Sequence, residues 1–147
     1  MPDLGDYLLR VRQMRRKAGE HDCITIMANW LMECGWPDPM AERRRAYATE
    51  DEALAFIEDA GSLAELCTEY LGRIGMVETA SPVAGDVGVI SLDFLASHIG
   101  LDDSQRLGLQ AGAIFTGERW AMALERGFAA IAISPLFVLK TWGAERG

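Results

Sequence analysis

The sequence predicts an α+β domain: N-terminal helices, one of them a buried central helix, packed on a small C-terminal antiparallel sheet. Three observations carry this. Up to about residue 72, apolar residues recur at helical spacing between capping residues and glycines. Within that half, the stretch from Cys23 to Met32 is apolar nearly all round, as a buried helix is. From about residue 87, short β-branched and apolar runs alternate with turn residues.

Taken in order, Leu4, Tyr7, Leu8, Val11 and Met14 form the stripe of an amphipathic helix over 4–16. Arg10, Arg12, Arg15 and Arg16 lie opposite, and Ala18-Gly19 ends the helix. Asp22 is a good N-cap that leaves Cys23 in the first turn of the central helix, where only Thr25 and Asn29 are polar. Gly35 closes that helix and Trp36-Pro37 leads away. Asp38-Pro39 predicts a short basic helix to about Arg45. Thr49 with Glu52, and Ser62 with Glu65, are capping-box pairs that open two more helices. The first carries Leu54, Phe56, Ile57 and Ala60 and stops at Gly61. The second carries Leu66, Cys67, Tyr70 and Leu71 and stops at Gly72.

Val87, Val89 and Ile90 mark the first strand. The run "LGLQAGAIFTGERWAMALERGFAAIAI" divides into three strands at Gly117-Glu118 and at Glu125-Arg126-Gly127, and "FVLKTW" after Pro135 is the last, giving a small meander. Between Ile90 and Leu107, "SLDFLASHIGLDDSQR" is expected to be a loop with at most one helical turn, and it carries His98. No repeat or linker divides the chain, so residues 1–147 are expected to form one domain.

Composition narrows the function. Half the residues are hydrophobic and 24% are charged, as in a globular protein. The net charge of −8 disfavours binding to a phosphate backbone. The basic clusters Arg12 to Lys17 and Arg43-Arg44-Arg45 are read as solvated helix faces. No uninterrupted apolar run reaches the length of a membrane span, so no membrane insertion is expected. The charged, amphipathic N-terminus lacks the apolar core of a signal peptide. Cys23, Cys34 and Cys67 fit no zinc spacing, and His21 and His98 are the only histidines. Neither a metal nor a cofactor is expected, and the cysteines are expected to be free thiols.

A cysteine at a helix N-terminus has a physical reason to react, because unpaired N–H groups and the helix dipole favour the thiolate. Asp22 beside Cys23 opposes a second anion. A cysteine hydrolase also needs a base within hydrogen-bond reach and a group to orient that base. Without them, Cys23 is a small packed hydrophobe.

"HDCITIMANWL" places D-C at the start of the central helix. "SPVAGDVGVI" supplies Pro82, Gly85 and Asp86 in a P-x-x-G-D turn entering a strand. This layout resembles the NlpC-type papain-like cysteine peptidases over roughly residues 18–142. The whole chain is more similar still to small phage and prophage proteins, like those of gene transfer agents, often encoded among tail genes. These share the D-C opening, a helical middle ending near "LG", then "GDV", a hairpin resembling "GLQAGAIFTGERWAMALERGFAAI", and an apolar last strand, here "PLFVLKTW".

The resemblance implies a virion component at the tail tip, in the baseplate region. It would be made in the bacterial cytoplasm, with other tail-tip and hub proteins as partners and peptidoglycan as a further contact. It also implies Cys23 at the nucleophile position and a histidine opening the second strand. Two alignments supply that position. Strand periodicity puts Gln110 there, and glutamine cannot take a proton from a thiol. The alternative uses "SHIGL" and makes His98 the base, as an active peptidase cleaving peptidoglycan peptide stems requires. In this layout His21 lies outside the site, as a surface or capping residue. Trp36 and Trp142 are candidate docking anchors whose default role is core packing.

Overall fold

The computed structural model describes residues 2–44, 46–93 and 109–145. Among them are four α-helices: α1 (Leu4–Val11), α2 (Thr25–Glu33), α3 (Glu50–Ala60) and α4 (Leu63–Arg73). Six strands follow: β1 (Val77–Glu78), β2 (Val87–Ser91), β3 (Gln110–Phe115), β4 (Trp120–Ala123), β5 (Phe128–Ile131) and β6 (Val138–Gly143). They form one sheet in the order β1-β6-β2-β3-β4-β5, with antiparallel neighbours throughout. The fold is α+β, helices first.

Local chemistry explains the helix starts. The Thr49 hydroxyl accepts from the Glu52 N–H at 3.1 Å, and the Ser62 hydroxyl accepts from the Glu65 N–H at 3.1 Å. Both are the N-caps read from the sequence. Replacing either by alanine is expected to cost about 1 kcal/mol, measurable as a lower denaturant midpoint at unchanged m-value.

Four expectations change. α1 stops at Val11 rather than running to residue 16, because the chain after it pairs with the β4–β5 turn. There the Arg16 N–H donates to the Glu125 carbonyl and the Gly127 N–H to the Met14 carbonyl, both at 2.8 Å. The segment after Asp38-Pro39 is a set of turns, not a helix. The Arg44 guanidinium clamps both Asp38 carboxylate oxygens, at 2.9 and 3.0 Å, and reaches the Asn29 amide oxygen at 2.8 Å. Neither arginine cluster is therefore simply a solvated face: Arg16 pairs with Glu50, and Arg43 donates to the Tyr70 hydroxyl. Finally, β2 to β5 form the expected meander, but β6 crosses back to pair between β2 and a two-residue strand, β1.

The sheet has two apolar faces. Val87, Val89, Ile114, Ala121 and Trp142 face the helices, where α2 packs with Ile26, Met27, Trp30 and Leu31 buried. Trp142 is wholly buried core and not a surface anchor, while Trp36 is half-buried against that core. On the other face, Ile90, Ala111, Ala113, Trp120 and Met122 form a second cluster covered in part by Ile133. Ile133 lies in the segment that carries the chain back across the sheet from β5 to β6.

Candidate functional site

Cys23 sits just before α2, at the point where that helix meets the sheet. The turn is built by Asp22. One Asp22 carboxylate oxygen accepts from the Ile24 and Thr25 N–H groups, both at 2.8 Å, and from the Thr25 hydroxyl at 3.1 Å. The other accepts from the Gly19 N–H at 2.7 Å and the Tyr47 hydroxyl at 2.8 Å. Helical hydrogen bonding begins at the Asp22 carbonyl, which accepts from the Ile26 N–H at 3.1 Å. Asp22 therefore builds the turn that enters α2 rather than serving as the expected N-cap: the cap position is Ile24, without a side-chain bond, and Cys23 lies ahead of the helix instead of in its first turn. Asp22 also fastens the loop before it and the Tyr47 side chain.

The sheet reaches Cys23 through β3. The Phe115 N–H bonds to the Asp86 carbonyl, so odd residues of β3 direct their backbone groups to β2 and even ones to β4. The β3–β4 ladder stops after Ile114 and Phe115, and the strands splay. The Gly112 N–H lies beyond that ladder and close to the Cys23 sulfur, where it favours the thiolate. Gly112 also comes so close that a Cβ there would overlap the Cys23 carbonyl and the Met27 side chain. Cys23 packs against both apolar clusters, filling the gap between the two faces of the sheet.

A cavity of about 340 Å³ opens beside the thiol, and Gln110 lines it together with Cys23. α3 supplies one wall through Ala53, Leu54 and Ile57, and Arg16 and Glu50 pair across it at 2.7 Å. Burial pushes the Cys23 thiol up to about 11. The Asp22 charge adds to this, while the Gly112 amide and Arg16 work against it. At neutral pH the group is therefore a thiol, not a thiolate.

The structure brings Cys23 and Gln110 to one cavity. The Gln110 amide oxygen accepts from the Ala64 N–H at 3.2 Å, in the first turn of α4, which fixes the side chain on the helix-facing side of β3. His98 lies outside the described residues. Among the described residues, no histidine lines the cavity. His21 is neither a surface nor a helix-capping residue: it is 2% exposed, and its Nε2 lies 2.9 Å from the Gly127 carbonyl. Its backbone pairs with Lys17, so its ring belongs to the seam between the N-terminal segment and the β4–β5 turn. His21→Ala is expected to lower stability by about 2 kcal/mol, since it removes one of the two hydrogen bonds to that carbonyl, which keeps the Leu124 N–H at 3.0 Å, and leaves a void beside it. A thermal melt of the two proteins checks this.

The P-x-x-G-D segment also has a structural job. The Gly85 carbonyl accepts from the Trp30 indole at 2.8 Å, and Gly85 has φ +96 with the Trp30 ring 3.6 Å from where a Cβ would stand. The Asp86 carboxylate accepts from the Val83 N–H at 2.9 Å and closes the turn. This turn docks the start of β2 on α2.

Sequence reading missed Arg16, Glu50 and Gly112. The stripe Glu50, Ala53, Leu54 and Ile57, at helical spacing, was the available signal for the cavity wall. No group of three or more His, Cys, Asp or Glu side chains among the described residues could hold a metal ion. No helix among them is long and apolar enough to cross a membrane. A family model described as a domain of unknown function (DUF6950) matches residues 1–142. No curated protein and no solved structure matches the chain.

Proposed function

The chain belongs to the DUF6950 family, and for this member we propose a structural role at the tail tip of a phage or prophage particle. Its fold would be NlpC-type and papain-like, with a degenerate peptidase site. One observation carries the degenerate reading. The cavity that holds Cys23 presents Gln110 from the first residue of β3, the position at which a papain-like layout needs its base. A carboxamide cannot accept the thiol proton, and this one is already bonded to α4. The elevated pKa of Cys23 supports the same reading, since an unassisted thiol is a poor nucleophile. The D-C and G-D motifs have structural work of their own, building the turn that enters α2 and docking β2, which gives a reason for them to persist without catalysis.

The tail-tip part rests on the sequence resemblance. Its partners would be neighbouring tail-tip and hub subunits, with peptidoglycan as the surface the assembly meets. Two experiments test the proposal. Purified protein incubated with peptidoglycan is expected to release no muropeptides. Release that disappears in Cys23→Ala would establish an active cysteine endopeptidase cleaving peptide stems instead. Mass spectrometry of purified particles is expected to find the protein, and its absence from them would end the virion assignment.

A further inference from the structure

We infer that the Cys23 cavity binds a neutral apolar ligand, an aliphatic chain or ring rather than a charged peptide. The inference rests on the reading of Cys23 as non-catalytic and names what the same cavity takes. Its volume, about 340 Å³, is in the range of small-molecule sites. The space exists because β3 and β4 splay where Ala111 and Ala123 carry only a methyl group. Its walls are Leu54 and Ile57 of α3 on one side and Ala111, Met122 and Ile131 of the sheet on the other. Most of the residues around the cavity are apolar, and apolar walls accept apolar guests.

The charges at the rim argue against an ionic ligand. Arg16 is neutralised by Glu50 at 2.7 Å. The Asp22 carboxylate is filled by five donors from Gly19, Ile24, Thr25 and Tyr47. An entering cation finds no free carboxylate in Asp22, and among the described residues an entering carboxylate meets two acidic residues and one arginine, itself paired. Peptide stems rich in carboxylates are therefore poor occupants, whereas a neutral chain loses nothing by leaving water.

The test is a fluorescence titration of the full chain with N-phenyl-1-naphthylamine, a neutral apolar probe. Saturable enhancement is expected, displaced by 1-decanol and at least tenfold less well by decanoate. Ala53→Trp, which fills the cavity from α3, is expected to weaken binding at least tenfold. Leu54→Phe, a smaller change, serves if the tryptophan disturbs folding. Absence of saturable binding, equal binding by the filled variants, or preferential displacement by decanoate would overturn the inference. The probe decides the ligand class and muropeptide release decides the non-catalytic reading, so the two can fail separately.

Discussion

Gly112→Ala is expected to be among the most damaging single substitutions in this protein, lowering stability by about 3 kcal/mol. The added methyl would overlap the Cys23 carbonyl, which is backbone, and the Met27 side chain. Met27 can change rotamer, but the carbonyl belongs to the turn that Asp22 holds in place and has nowhere to go without separating α2 from β3. Against a total stability of roughly 5–15 kcal/mol, that loss shows directly in urea denaturation. Ala111→Gly, one position earlier and on the other face, serves as the control for backbone effects alone. Should Gly112→Ala melt like the wild type, the close approach of β3 to the Cys23 turn would be wrong.

The second large effect is expected at Asp22. Asp22→Ala strips five donors of their acceptor, among them three backbone N–H groups and the buried Thr25 and Tyr47 hydroxyls. A buried donor left unpaired costs about 1–3 kcal/mol, and relaxation with water recovers part of it. A net loss of about 4 kcal/mol is expected, enough to leave a marginal protein partly unfolded at 37 °C. Asp22→Asn keeps one carbonyl oxygen and removes the charge, so it should be milder. It should also move the Cys23 thiol downward, because the Asp22 charge is one of the causes that raise it. Thermal melts measure the first effect. The pH dependence of Cys23 alkylation in Asp22→Asn measures the second.

Much of the fold was legible because its signals are local. Thr49 and Ser62 announce helix starts by side chains that bond within a few residues, and each is the N-cap in the structure, while Asp22 bonds just as locally but in the turn ahead of the cap at Ile24. The strands at Val87, Gln110, Trp120 and Phe128 were legible from apolar runs cut by turns. What was not legible depends on distant partners. α1 ends early because residues 14–16 meet the β4–β5 turn, more than a hundred positions away. The basic helix after Pro39 is lost to an Arg44–Asp38 clamp. β6 leaves the meander because its apolar face completes the helix-side core through Trp142. β1 is two residues long and has no pattern to read.

The site divides in the same way. Cys23 and Gln110 could be proposed from motif order, and the cavity contains both. His21 was misjudged because a polar residue beside a capping aspartate looks exposed, yet its acceptor, Gly127, comes from the far end of the sheet. Nothing local marks Gly112 as the position where β3 leaves the β4 ladder and meets the Cys23 turn.

The central claim is that Cys23 is a neutral thiol, with no histidine among the described residues lining its cavity. The most direct measurement is its alkylation rate by iodoacetamide as a function of pH, followed residue by residue by mass spectrometry. The rate should rise without a plateau through pH 9 and give a midpoint near 11, the value to which burial and Asp22 push the thiol. A rate that levels off below pH 7 would reveal a thiolate stabilised by a base, and the site would be a working nucleophile after all.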